Sequence, residues 1–572
     1  MKKIAMRSVR AALQLIPKNL KDKLKQNERL TALYVRSVRK SGLFFDAPTP
    51  KQTQALYNYW LEVNESAFSK SAGKIDGWQA IVFGTDSHGV TEAKLKSLGC
   101  DICLISGDID KSTLEENIAR LDEQLPTLLL NGGDLLANSA IYHLCTTLKE
   151  SDFVYCDTDE LDINGAKSSP RFLPNWNPEL QYSTAYINTG VMIKTALLKS
   201  VQISNQTTIA EIVTKLSLTI KSLAISHLPL PLVHQSPIKE DSTTLNRVKA
   251  VIEKHTKAEV ELDEQFSVNR VYWPNSNPLV SLIIPTKNGK ALVKACIESI
   301  LEKTTYQNYE ILLIDNGSDE QESIEYFSYL NTLEKVKVIR YPAPFNYSAI
   351  NNFGVEHAKG SILGLVNNDI EVISPNWLTY MVGHAEREDV GCVGAKLLYS
   401  DTRIQHAGVV LGYGGGAGHA HKNFPRFHTG YLKRIVATNN YSAVTAACLL
   451  VKRTDFDAVN GLNEKDLSVA FNDVDFCLKV KGLGVKNVYC AEAELFHHES
   501  VSRGLDISPE KAARFNRELA YLQTTWSDFI ANDPAYNPNL TLKRESFSIR
   551  SAVELKECHI RHNLCILHQT EL

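Results

Sequence analysis

Three apolar runs, each ending in a short polar loop, constrain this chain more than any other feature. Val280-Ser281-Leu282-Ile283-Ile284-Pro285 runs into Thr286-Lys287-Asn288-Gly289, and Tyr309–Asp315 runs into Asn316-Gly317-Ser318-Asp319. Ile362–Val366 runs into Asn367-Asn368-Asp369, and residues 291–301 and 350–357 carry helical patterns between the runs. Strands alternating with helices predict an open, mostly parallel α/β sheet. Ligands of such sheets bind beyond the carboxyl ends of the strands, so the three loops should converge on one crevice.

A second alternation precedes this one. Residues 80–83, 102–105, 127–130 and 153–156 read as strands, separated by helical segments such as 112–121. A chain of 572 residues exceeds what one core usually serves. The expected organisation is a basic helical segment at 1–70, a first α/β unit at 71–240, a polar linker at 241–277, a second α/β unit at 278–506, and a helical extension with a tail at 507–572.

Composition narrows the function classes. Hydrophobic residues at 44% and charged residues at 22% describe an ordinary soluble protein, and a net charge of -3 gives no case for nucleic-acid binding. The eleven cysteines are odd in number and scattered, with no signal-peptide pattern before them, so a reduced, cytosolic protein is expected. Cys100 and Cys103 have redox-motif spacing without a second ligand pair, which predicts buried thiols at a strand. Cys558, His559, His562 and Cys565 lack regular metal spacing and predict a loosely packed tail. No apolar stretch reaches the ~18 residues of a spanning helix.

The first forty residues carry twelve Lys and Arg against Asp22 and Glu28, and Met6, Val9, Leu13 and Ile16 share one helical face. Two readings stay open: an interfacial helix drawn to an anionic membrane surface, or a basic arm packed on protein or solvated.

The chemistry concentrates in the second alternation. An apolar strand ending in Asn367-Asn368-Asp369-Ile370-Glu371 can deliver oxygen ligands for a hard divalent cation. Farther along stand Asn472-Asp473-Val474-Asp475 and then His497-His498. One acid to hold a cation, a second to act as base and a histidine behind them suggest group transfer from a diphosphate-activated donor. The glycine-rich stretch at 412–419 lacks the Lys-Ser/Thr of a phosphate loop and reads as a loop over the acceptor side.

Asn367-Asn368-Asp369 resembles the aspartate-x-aspartate signature of nucleotide-sugar-dependent glycosyltransferases with the GT-A fold. The surrounding residues extend the likeness to inverting glycosyltransferase family 2, in its rhamnosyltransferase-like branch, from Val280 to Gly504. Ser281–Asn288 looks like the opening strand and nucleotide loop, 313–318 like the second loop, and Asn351-Asn352-Phe353-Gly354 like the helix before the metal strand. The resemblance implies a Rossmann-like open mixed sheet and a divalent cation, Mg²⁺ or Mn²⁺. Asp369 would hold the cation, aided by His497 in preference to His498, with Asn367, Glu371 and His498 in support. Asp473 would be the general base, with Asn472 orienting it and Asp475 at the helix start. Pro285, Thr286, Asn288, Asp315, Asn352 and Asn368 would bind the nucleotide sugar, Asp315 through the base ring.

The same resemblance implies transfer of a rhamnose-like or other hexose to a lipid-linked oligosaccharide of a bacterial surface glycan such as O-antigen. The enzyme would be cytoplasmic, peripheral at the inner face of the membrane. In the first unit, Leu130-Asn131-Gly132-Gly133-Asp134 is similar to the metal strand, yet no nucleotide loop precedes it and Thr207–Leu216 offers only Glu211 as base. That unit is expected to be a degenerate GT-A-like domain that binds acceptor or builds an oligomer. Asp157 and Asp159 leave a bifunctional transferase open, and two decayed units in a glycan-binding scaffold form the rival class.

Overall fold

The computed structural model describes residues 48–70, 73, 75–86, 88–107, 111–162, 165–201, 203, 207–220, 222–236, 242–498 and 508–555. Residues 1–47 with their basic run, the histidines and cysteines of the tail, and residues 499–507 lie outside the described residues. Among those described, no helix is long and apolar enough to cross a membrane. The chain forms two compact units.

In the second unit the strand order is 336–340, 309–315, 280–286, 362–366, 448–452, 390–398, 486–497 and 370–372. The first four are parallel, 448–452 runs antiparallel, and 390–398 pairs parallel with 486–497. Val280, Leu282, Ile283 and Ile284 are fully buried because helices cover both faces, as the unbroken apolar run requires. Gly354 lets the helix Tyr347–His357 lie on the sheet: a Cβ there would sit 2.5 Å from the Ile283 side chain.

The first unit repeats this plan. Its order is 102–105, 79–83, 126–131, 191–194, 153–161, 225–235 and 135–136. Again the leading strands are parallel, 191–194 is antiparallel, and 153–161 pairs parallel with 225–235. The short last strand closes both sheets in the same register, Leu135 opposite His234 and Ile370 opposite His497. Among the described residues the first sheet has eight strands against ten, with no counterpart of 336–340 or of the side strand 439–441.

The boundaries differ from those expected. Residues 241–277 are largely not a linker: helix Ser242–His255 and the hairpin Glu259–Asp263 with Val268–Tyr272 belong to the first unit. Val248 and Ile252 are fully buried there, so the charged positions were the outer face of a packed helix. The helix Pro50–Lys70 also belongs to the first unit, as do residues 431–439 and the described residues from 534 onward, whereas helix Pro509–Thr525 belongs to the second. Asn537 ties that last segment in, donating to Asp157 and to Leu173 O. Cys100 and Cys103 are half-buried thiols, pushed up to about 12 and about 11, chiefly by burial.

Candidate active site

The three strand-end loops of the second unit do meet. Asn288, at φ 55, and Gly289, at φ 68, turn the chain into helix Lys290–Lys303. The Asn288 side chain donates to Asp319 and accepts from the Asp319 and Glu320 amides, which joins the first loop to the second. Asn368 Nδ2 donates to Thr286 Oγ1 at 2.9 Å, which joins the first loop to the third. Together they wall a cleft of about 1190 Å³ that Pro285, Thr286, Asn288, Asn367, Asn368, Asp369, Asp473 and His497 all line.

Asp369 and His497 face each other. The imidazole Nε2 lies 3.2 Å from Asp369 Oδ1 and 3.3 Å from Asn367 Nδ2, and both residues are buried. Successive strand residues point to opposite faces, so His498 turns away. Its ring bonds Ser400 and Glu371, at 2.7 and 3.1 Å. The geometry therefore separates the two histidines.

Glu371 does not join Asp369. Asp369 sits in a turn rather than on extended chain, so strand alternation does not hold between them. Burial raises the Glu371 carboxyl, but hydrogen bonds from His498 and Lys303 outweigh it and hold the group below its usual range. Asn352 is likewise displaced from its expected role. Its amide donates to Leu462 O and Glu464 and accepts from Leu462 N, so it anchors the 461–464 loop instead of the cleft wall. Asp315 stands at its strand end with oxygens on Ser318 N and Arg340, and the cleft wall starts at Asn316.

Asp473 lies in the first turn of helix Asn472–Lys481. Phe471 enters that helix at φ 59, a strained conformation for a bulky residue. The Asp473 oxygens accept from Ala446 N at 3.1 Å and Val474 N at 2.9 Å. Burial nonetheless pushes its carboxyl above the usual range, with those bonds and Thr445 partly opposing. Behind Thr445 stands fully buried His406, whose Nδ1 donates to Ala395 O while Nε2 accepts from Thr445 N. Asp475 points to the other face, held by Trp526 Nε1 and Lys479, and Asn472 braces Val469 O.

Several cleft residues carried no clear signal in the sequence. Lys287, Lys290, Lys422, Lys511 and Arg514 bring positive charge to a wall that also carries Glu320 and Glu322. Lys511, Arg514 and Phe515 share one face of helix Pro509–Thr525, a helical spacing visible in sequence but without a motif. Phe345, Phe471 and Phe515 add aromatic surface. His419, from the glycine-rich stretch, lines the cleft too, its ring pushed down to about 3 by burial and then by Lys422. That stretch is a tight hairpin, Val409–Leu411 with Ala417–His419.

In the first unit the equivalent place is shut. A Cβ at Gly132, the counterpart of Asn367, would sit 2.4 Å from Thr85 O, because the first loop folds onto that turn. Asp134 accepts from Thr189, the Asn131 amide and the Ser236 amide, and burial pushes it up to about 6. Glu211 is ion-paired with Lys215 and Arg247. Asp157 and Asp159 are fully buried, paired with His227 and His234.

The second unit, with its strand order and its acid–histidine turn, has the GT-A fold of glycosyltransferases, and the first shares the main path of that strand order. Residues 281–457 match the sequence model of Glycosyl transferase family 2. The chain is 41% identical over 446 residues to protein y4gI of Sinorhizobium fredii, covering 74% of this chain and 49% of that one. It is 33% identical over 430 residues to the O-antigen biosynthesis protein RfbC of Myxococcus xanthus, covering 70% of this chain and 32% of that one. The chain thus spans about half the length of the first relative and about a third of the second. A solved mannosyltransferase from Pyrobaculum calidifontis, in complex with GDP-Man and Mn²⁺, aligns at 13% identity with a TM-score of 0.33, over 44% of this chain and 66% of its own.

Proposed function

We propose that the second unit transfers a sugar, with inversion, from a nucleotide-diphosphate sugar to a hydroxyl of a growing bacterial surface glycan. The observation that carries this reading is one cleft holding the Asp369–His497 pair, Asp473 and the positive charges of Lys422, Lys511 and Arg514. The acceptor oxygen attacks the anomeric carbon from the face opposite the diphosphate. Its proton passes to Asp473 as the new C–O bond forms, and the bond to the diphosphate breaks to release the nucleotide. A base raised by burial holds that proton better than an ordinary carboxylate, which suits the step. Lys422, Lys511 and Arg514 would steady the departing charge, and the Asp315 loop would meet the nucleotide base.

A divalent cation fits this donor set. Asp369 and His497 offer one carboxylate and one imidazole, and among the described residues no larger His, Cys, Asp or Glu group gathers to hold a metal. Mg²⁺ and Mn²⁺ commonly take few protein ligands and complete their shell with phosphate oxygens and water. When bound there, the cation would neutralise the diphosphate.

The sugar is assigned to the rhamnose-like or other hexose class, and the acceptor to a lipid-linked oligosaccharide at the cytoplasmic face of the membrane. The O-antigen role named for the M. xanthus relative supports that destination. The first unit would bind acceptor or assemble the enzyme. Purified protein incubated with UDP-, GDP- and dTDP-linked hexoses, with Mg²⁺ or Mn²⁺, should hydrolyse at least one donor. No turnover and no binding across that panel would leave the scaffold reading in its place.

A further inference from the structure

The first unit holds a cavity of about 220 Å³ that is not the counterpart of the donor cleft. It lies where helix Pro50–Lys70, the turn after strand Leu135–Leu136 and strand Ile225–Gln235 come together. His234, which occupies the strand position that His497 holds in the other sheet, lines it at 7% exposure. Its Nδ1 bonds Asp159 Oδ1, and the Tyr57 hydroxyl donates to Asp159 Oδ2. Asp159 and Tyr57 are fully buried. A carboxylate only accepts, so Nδ1 carries the hydrogen and the ring is locked from behind.

Nε2 makes no hydrogen bond among the described residues, which leaves it oriented toward the cavity that His234 lines. Leu61, Leu136 and Leu232 give the wall an apolar part, Asn138 and Ser139 add polar groups, and the Lys167–Glu65 ion pair stands on the same cavity. No other carboxylate, thiol or imidazole joins His234 in a metal-holding group among the described residues. The volume falls below the roughly 300–1,000 Å³ of sites for drug-sized ligands, so a nucleotide is too large.

We propose that this cavity binds a single sugar ring. The ring's apolar face packs on the leucines, one hydroxyl bonds His234 Nε2, and others reach the Lys167–Glu65 pair. This division, apolar ring faces on aliphatic wall and hydroxyls on a few fixed polar groups, is how small polar-rimmed ligands are oriented. The inference does not depend on transfer by the second unit.

Saturation-transfer NMR on the full chain tests it, with methyl α-glycosides of hexoses and 6-deoxyhexoses standing for a glycan end and the reducing sugars for a free monosaccharide. At least one probe should receive saturation at millimolar concentration. Better binding of the methyl glycoside assigns the site to a chain end, and equal binding to a free sugar. Ala137→Phe, which plugs the cavity and leaves the His234 relay intact, should weaken binding at least tenfold, as should His234→Phe. Should His234→Phe fail to fold, the plugging variant decides alone. Silence from every probe, or wild-type binding by a folded Ala137→Phe protein, overturns the proposal.

Discussion

The two sheets of this chain share strand order, strand direction and closing register, yet they handle the turn after the third strand in opposite ways. In the second unit Asn367-Asn368-Asp369 keeps side chains at the turn, Asn368 props the first loop through Thr286, and Asp369 meets His497. In the first, Gly132 lets the backbone of Thr85 close over the same spot, and Asp134 is spent on Thr189 and nearby backbone amides. The histidine of the matching strand follows suit: His497 faces the cleft, and His234 turns to Asp159. The scaffold supplies a place for a site, and the side chains at one turn decide whether a cleft stands open there.

The comparison breaks most sharply at the base. Asp473→Asn should lower transfer by about 10²–10⁴-fold while nucleotide binding, read by calorimetry, persists. No single substitution in the first unit should match that loss. Because burial raises the Asp473 carboxyl, turnover of the wild type should fall as pH drops, with a midpoint above the ordinary carboxylate value of 3.8. A midpoint at or below 3.8 would contradict the assignment.

Next in size is the acid–histidine pair. Asp369→Ala or His497→Ala should weaken Mn²⁺-dependent nucleotide binding by about 10–100-fold, in the range of losses at metal sites. Asp134→Ala should leave it unchanged. Cation-independent binding in the wild type would remove the role given to Asp369.

Asp157→Ala should act on stability alone. It strips the acceptor from His227, Asn537 and Leu173 N, at a cost of about 1–3 kcal/mol per group left unsatisfied. A lowered thermal midpoint with unchanged turnover per folded molecule is expected. A lost linkage in the product would instead make the first unit a second transferase.

The smallest effect lies at Asp134. Its folded value of about 6 exceeds the ordinary 3.8, so the folded state holds the proton more tightly. The linked stability is fully present below 3.8 and is lost as pH rises through about 6. Carboxyl NMR should find that titration in the first unit, and a midpoint near 3.8 would mean a wetter turn.

Much of this was legible in the chain. The three strand-end loops, Asp369 and Asp473 announced themselves because strand alternation and loop polarity are local signals. Asn352 and Glu371 misled because their partners, Leu462 and Glu464 in one case and Lys303 and His498 in the other, are distant in sequence. The preference for His497 over His498 gains a geometric reason in the register opposite Ile370. The helix and hairpin within 242–272 were hidden by their charged outer faces, although Leu245, Val248 and Ile252 kept helical spacing.

Glu518 carries a consequence for how the enzyme is made. From helix Pro509–Thr525 its buried carboxylate accepts from Ser468 Oγ and from the Val469 and Ala470 amides, just ahead of Asp473. The family match ends at residue 457, well before that grip exists. On the ribosome, then, the loop at 468–470 is synthesised before the group that holds it. A nascent chain gains its finished cleft only once helix Pro509–Thr525 clears the exit tunnel and docks.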